Sequence, residues 1–397
     1  MLDPPALRSN VFAVSKPPLI VLSLEGLAVS SLGCYGSSWN ETPSIDRLAA
    51  TGCVWDRFLA TSDRPEIVFG DWTNPSSPWS ESLGERRGPL ALVTDSDSRG
   101  LQESCFDEVV ALPGHRASGE SRPAADVAET QFGQLIAAAI ERLAGEKADE
   151  LLWIHSGFLT RCWDAPRELM PEEERLDEMP LEEDFTGEEA DQSAGMMAFD
   201  PLMDLPDRTQ PPDLELMAES HPDLVTAWMK VYGCQVRLVD LLLDVLLEAI
   251  EPASVSLVLV GTSGFRLGQG GRIGHRTGPL RSPDIQLPLI VNRGGPLHVP
   301  HLTSSGQFGQ LLHRVRTDPS TCCSPEEWSS PTKEQPPIQI QSDRAIAAVC
   351  NPGWFYVRDT DESEHLFLKP DDVDDFNDVG RLRGDVLEAL RTSEEEE

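Results

Sequence analysis

Residues 18–62, PLIVLSLEGLAVSSLGCYGSSWNETPSIDRLAATGCVWDRFLATS, decide the architecture of this chain. Leu19–Leu24 is a short run of aliphatic residues between Pro18 and Gly26, the pattern of a strand buried on both faces of a parallel sheet. Thr42 and Pro43 open a helical pattern over residues 44–51 that stops at Gly52, and residues 53–59 predict a second strand. Further along, Leu90–Thr94 and residues 151–155 are strand candidates, the latter preceded by a helical pattern over residues 127–143. Strands alternating with helices predict a largely parallel sheet covered by helices.

Downstream, Leu224, Trp228, Val231, Leu238, Leu241, Leu242, Val245, Leu246 and Ala249 recur at helical spacing, with Arg237, Asp240, Asp244 and Glu248 on the other face. Pro252 ends that helix, and residues 255–261 predict a central buried strand. Between Pro171 and Gln192 eleven acidic residues face one basic residue, Arg175, so residues 171–221 are expected to form an exposed acidic, Pro-rich insertion. Residues 320–341 are rich in Pro, Ser, Glu and Gln and are expected to be a linker. Residues 342–397 predict a small subdomain, with strands over 344–368, a helix over 380–390 and an acidic tail. The main domain then spans residues 18–319 behind an extension of residues 1–17.

The 397 residues carry a net charge of −35, which argues against a nucleic-acid surface or an anionic membrane as partner, because phosphate contacts need clustered Lys and Arg. A cationic protein suits that charge. The first residues lack the pattern of a secretory signal, and the most apolar long run, 224–250, is broken by Lys230, Arg237, Asp240, Asp244 and Glu248. Eight cysteines without CxxC pairs form neither a disulfide framework nor a zinc pattern, and the adjacent Cys322 and Cys323 are read as incidental. A cytoplasmic protein with reduced thiols is expected.

Several segments resemble the sulfatase family in order. They are Leu32-Gly33-Cys34-Tyr35-Gly36, the run TPSIDRLAA at 42–50, LLWIH at 151–155, Trp163-Asp164-Ala165-Pro166, residues 232–240, residues 257–291 and LFLKPDD at 366–372. The resemblance implies the alkaline-phosphatase/sulfatase-like fold, a three-layer α/β/α sandwich with a largely parallel central sheet and a small C-terminal α+β subdomain. The family reaction it implies is sulfate ester hydrolysis.

The same resemblance locates the departures. Sulfatases hold Ca²⁺ with two acids after the first strand and two ligands in a TSDHG-like loop; here those positions carry Glu25, Gly26, Ser263 and Gly264. The formylglycine motif C-x-P-x-R, or its Ser form, aligns with residues 61–69, which puts Pro65 at the nucleophile and Phe69 at the Arg. Proline has no side-chain nucleophile. The family's GKWHLG aligns with residues 95–100, where Asp95 and Asp97 add acid and Arg99 is the remaining cation for a substrate. His275 keeps a position that is Lys or His in the family, near the sulfate.

Three readings follow, the last a purely structural or scaffold role that uses the acidic insertion. In the first, hydrolysis is lost with the formylglycine residue and most Ca²⁺-binding acids, no cofactor is needed, and the protein binds an anionic small molecule or a cationic protein. Glu25 is then a solvated carboxylate, His275 a polar loop residue, and Arg266, Arg272, Arg276 and Arg281 either cradle an anion or balance the acidic surface. In the second, an active sulfuric or phosphoric ester hydrolase is rebuilt around Ca²⁺, with Glu25 and Asp63 as metal ligands, Ser62 as nucleophile, Arg64 as anion-holding group, and His275 as acid, base or substrate contact.

Overall fold

Leu19–Leu24, with all six residues buried, lies inside an eight-stranded sheet. The computed structural model describes residues 18–75, 88–96, 105–114, 121–145, 149–171, 200–250, 254–319 and 337–395. Strand order across the sheet is Leu297–Val299, Cys53–Trp55, Leu289–Val291, Ser256–Gly261, Leu19–Leu24, Leu151–Ser156, Leu90–Thr94, Glu108–Ala111. Leu24 stands opposite Ser156 on one side and Gly261 on the other, and Thr94 stands opposite His155, all in parallel pairing. The carboxyl ends of these four strands therefore lie at one edge. Among the described strands of this sheet, Leu289–Val291 alone runs antiparallel to its neighbours.

Neighbouring side chains of a strand face opposite sides of its sheet, and this builds two cores. Ile20, Leu22 and Leu24 join one core with helices Pro43–Thr51, Gln131–Leu143 and Leu224–Ala249. Leu19 and Val21 join the other, with Pro65–Thr73, Phe308–Thr317 and a C-terminal antiparallel sheet. That four-stranded sheet runs Ile338–Gln339, Ala345–Cys350, Trp354–Asp359, Glu364–Leu368, and helix Gly384–Glu395 closes its far side through Leu390. The expected three-layer sandwich with a small C-terminal subdomain is what the chain forms. Among the described residues no helix is long and apolar enough to cross a membrane.

Several local expectations change. The strand expected over 53–59 divides at Asp56 and Arg57, because Phe58–Leu59 leaves the main sheet to pair with Gln286–Leu287 and Thr303–Ser304. The helix over 127–143 is interrupted at Thr130, whose hydroxyl caps the following helix by accepting from Gly133 N at 2.9 Å. Residues 172–199, most of the acidic insertion, lie outside the described residues, as do 320–336.

Two of the sequence motifs interlock. Asp46 Oδ1 accepts from Cys34 N at 2.7 Å and from Thr42 Oγ1 at 3.2 Å, and Thr42 Oγ1 accepts from Gly33 N at 3.0 Å. Asp240, expected on the outward face of its helix, is instead 5% exposed. Its Oδ1 accepts from Ser44 N at 2.9 Å and Ile45 N at 2.8 Å, so it caps the helix opened by Pro43 from a distance of almost two hundred positions. Leu241 and Val245, expected in the core, are 39% and 41% exposed.

Removing that cap by Asp240→Ala leaves two buried N–H groups without an acceptor and is expected to lower stability by about 1–3 kcal/mol. Asp244→Ala, which removes only an exposed pair with Arg47, is expected to cost less than about 1 kcal/mol. Urea unfolding of both variants checks the contrast.

Candidate functional site

Glu25 leaves the first strand at the carboxyl edge of the sheet, where open α/β sheets place their sites. It is not the solvated carboxylate expected from sequence. Its side chain is 16% exposed, Oε1 accepts from Ser96 Oγ at 3.0 Å, and Oε2 accepts from Thr160 Oγ1 at 3.1 Å. His155 Nε2 faces Oε1 at 3.4 Å. Burial alone would raise the pKa of Glu25, but the hydrogen bond from His155 and the fields of His155, Arg161 and His275 hold it down at about 2.

His155 is fixed from three sides. Its Nδ1 lies 2.9 Å from Ser23 Oγ, which accepts from Trp153 Nε1 at 2.8 Å. Ser23 Oγ also donates to Ile154 O at 3.5 Å. Its ring lies flat on Phe69, with centroids 3.9 Å apart and planes 14° apart. Phe69 sits on Pro65–Thr73, whose Val68, Phe69 and Trp72 are buried in the second core, and Pro65 occupies the first turn of that helix, where its missing N–H costs nothing. An aromatic ring therefore seals the position at which the resemblance expects an arginine.

Asp95, expected to add repulsive charge, points inward instead. Oδ1 accepts from Gly157 N and Arg161 Nη2, both at 2.9 Å, while Oδ2 accepts from Gln131 Nε2 at 2.8 Å and Ser156 Oγ at 2.9 Å. On the opposite flank Ser263 Oγ accepts from Gly26 N at 2.9 Å and lies 2.9 Å from His275 Nε2. Burial pushes the His275 pKa down to about 4, with Arg276 and Arg344 adding to the fall and Glu25 and Asp284 opposing it. His275 is therefore neutral at neutral pH. Both serines paired with a histidine, Ser23 and Ser263, are fully buried, which leaves neither hydroxyl a path to a substrate.

The remaining candidates form a second cluster. Asp63 is fully buried; its Oδ2 accepts from Arg344 Nε at 2.7 Å and Arg276 Nε at 3.1 Å. Burial raises its pKa, and the two guanidiniums, Arg344 first, outweigh that and lower it. Ser62 Oγ donates to Gln341 O at 2.9 Å, within a parallel bridge between the two residues. Arg64 pairs at the surface with Glu66 at 2.8 Å. Arg99 lies outside the described residues. The four arginines considered as an anion cradle each face a carboxylate: Arg266 with Asp284, Arg272 with Glu215, Arg276 with Asp63 and Asp343, Arg281 with Asp359. Glu25 and the Ser263–His275 pair thus lie at the carboxyl edge of the sheet, whereas Ser62 is fastened to Gln341 and Asp63 to Arg276 and Arg344.

Ca²⁺ requires about six to eight oxygen ligands, carboxylates among them. The residues here do not fit it. Glu25 supplies the single carboxylate, and both of its oxygens are engaged. Gly26 has φ +76°, and a Cβ there would lie 2.6 Å from Thr160 Cγ2. A Cβ at position 264 would lie 1.8 Å from Pro283 O, so neither position accepts a ligand side chain without backbone movement. Among the described residues no three His, Cys, Asp or Glu side chains are grouped to hold a metal.

His155, Thr160 and Arg161 were not singled out as site residues in the sequence. His155 and Asp95 could have been found by asking which polar residues end or follow parallel strands; no sequence signal points to Arg161.

Stability should fall with acid in two stages. Between about 6.5 and about 4 the unfolded chain protonates His275 while the folded chain does not, and between about 4.5 and about 2 the same holds for Glu25. Both stages have the same sign, because the unfolded state binds more protons in each. His275→Asn should flatten the upper stage. Glu25→Gln should flatten the lower stage and cost roughly 2–3 kcal/mol at neutral pH, as read from urea unfolding over a pH series.

No protein-family model matches the chain. Arylsulfatase A of Homo sapiens is 34% identical over 112 residues, covering 26% of this chain and 20% of that protein, so the match spans about a fifth of the relative's length. The structure is similar to the phosphonate monoester hydrolase of Agrobacterium radiobacter, with a TM-score of 0.60, 13% identity and 96% of each chain covered. It is also similar to a protein solved in complex with its substrate D-glucosamine-2-N,6-O-disulfate, with a TM-score of 0.64, 14% identity, and 96% of this chain and 97% of that chain covered. This chain accordingly has the fold of these structures, a sulfatase-like fold, and a stretch of its sequence is similar to arylsulfatase A.

Proposed function

We propose that this protein uses a sulfatase fold to bind and does not hydrolyse sulfate esters. The observation that carries the reading is the stack of Phe69 on His155, which puts a buried aromatic ring where the resemblance expects an arginine beside the nucleophile. Pro65, at the nucleophile position, supports it, since proline offers no group that can attack sulfur. The engaged Glu25 oxygens support it as well. Ca²⁺ would have to break the contacts to Ser96 and Thr160 before it could polarise an ester.

The same reading favours a cationic protein over an anionic small molecule as partner. The arginines around the His275 loop already face carboxylates, while the chain as a whole carries a net charge of −35. A cytoplasmic location belongs to the proposal and suits the thiols of Cys34, Cys53, Cys162, Cys234 and Cys350, none of which is in a disulfide.

The test is a panel of sulfate, phosphate and phosphonate esters, sugar sulfates included, assayed with wild type and Glu25→Ala side by side. The proposal expects no turnover in either beyond the uncatalysed rate. Turnover by the wild type that collapses about a hundredfold or more in Glu25→Ala would establish a rebuilt hydrolase instead.

A further inference from the structure

A pocket of about 320 Å³, within the size range of ligand sites, lies between the loop that follows the first strand and the turn that follows strand Glu364–Leu368. None of the side chains that hold Glu25 lines it. Ser37, Trp39, Phe265, Gln269, Val373 and Asp374 are among its walls. Asp374 is its acid. The carboxylate is half-buried, takes a hydrogen bond from Gln269 and stands in no ion pair among the described residues. We propose that this pocket receives an arginine side chain of a cationic protein partner, with the guanidinium on Asp374 and the methylenes against Trp39 and Phe265. The inference rests on the reading of that partner as a cationic protein.

Three observations carry the inference. The first is how the turn distributes its acids. Asp372 accepts from Phe376 N at 2.9 Å and Asn377 N at 2.8 Å, and Asp375 accepts from Ser282 and from Lys369 Nζ at 2.6 Å. Lys369 Nζ also donates to the carbonyls of Asp372 and Val373, so its three N–H groups are used and none is left for Asp374. Burial first, and then the field of Asp375, push the Asp374 pKa up, with Lys369 opposing and Asp372 adding to the rise. The fold therefore carries this charge at a cost, and an arriving guanidinium would remove it.

The second is a waiting acceptor. Ser37 Oγ is buried in the same lining and has no hydrogen-bond partner among the described residues. A guanidinium carries five N–H donors in a fixed plane, so it can meet a carboxylate with two of them and still reach a hydroxyl. Its stem packs on apolar walls of the kind Trp39 and Phe265 supply. The third is the surface beside the acid. Val373 is 51% exposed and Phe376, in the same turn, is 70% exposed. Apolar groups next to a carboxylate match a protein segment, which can cover them, better than a free amine, which would leave them in water.

The experiment is titration calorimetry of the full chain with penta-arginine amide and with agmatine, at physiological ionic strength, on wild type, Asp374→Asn, Val373→Arg and Asp371→Asn. Penta-arginine should bind the wild type, and Asp374→Asn and Val373→Arg should each weaken it about tenfold or more. Asp371→Asn removes the same charge from an exposed position of the same turn and should weaken it less than about threefold. Asp374→Asn should unfold on heating no sooner than the wild type; a loss of stability would make the carboxylate structural and overturn the proposal. Equal weakening by the two Asn variants would overturn the pocket and leave the cationic partner standing. No binding of penta-arginine to any form would overturn both. Agmatine binding as tightly as the peptide would overturn the proposal in favour of a small amine.

Discussion

The Asp95 carboxylate is the constraint on which the carboxyl edge of the sheet depends. Fully buried, it takes one donor from each of Gln131, Ser156, Gly157 and Arg161. Those donors belong to the helix Gln131–Leu143, the end of strand Leu151–Ser156, and the short turn of helix that follows it. A buried carboxylate with fewer partners would cost several kcal/mol and would sooner take up a proton than keep its charge. With all four donors in place both carboxylate oxygens are satisfied, and Oδ1 sets where Arg161 lies. Arg161 then fixes Ser96, Ser96 fixes one oxygen of Glu25, and Thr160, one residue before Arg161, fixes the other.

The same economy of charge joins the C-terminal subdomain to the main domain. Arg344, one residue before strand Ala345–Cys350, reaches both Asp63 and Asp284, and Arg281 reaches Asp359 with two parallel hydrogen bonds. Lys369 pairs with Asp375 at 2.6 Å, and Asp375 accepts from both the amide and the hydroxyl of Ser282. An exposed ion pair contributes little, whereas these are desolvated and carry further hydrogen bonds, so each partner is needed to offset the burial of the other.

Much of the fold was legible because it rests on signals local in sequence. The run LIVLSL admits few alternatives to a buried strand, and TPSIDRLAATG carries both its start and its stop. What escaped depended on partners distant in the chain. Asp240 looked like a solvated helix residue because the amides it caps are those of Ser44 and Ile45. Phe58–Leu59 looked continuous with Cys53–Trp55 because the strands that draw it away lie near residues 286 and 303. In the site, the resemblance to a known family gave Glu25 a metal-ligand position and His275 a position near the sulfate but gave no hint that Glu25 would be occupied by Ser96, Thr160 and His155. Arg161 had no counterpart in any motif, and its place is set by contacts to Asp95, Ser96 and the carbonyl of Gly157.

A crystal structure of the wild-type protein grown with Ca²⁺ and sulfate is the most direct test, read for what stands between Glu25 and Asp95. The account predicts Arg161 in contact with Asp95 and Ser96, His155 facing Glu25 under the Phe69 ring, and no metal density beside Glu25. A calcium ion between those carboxylates, with Arg161 turned out to solvent and sulfate bound beside it, would contradict the account.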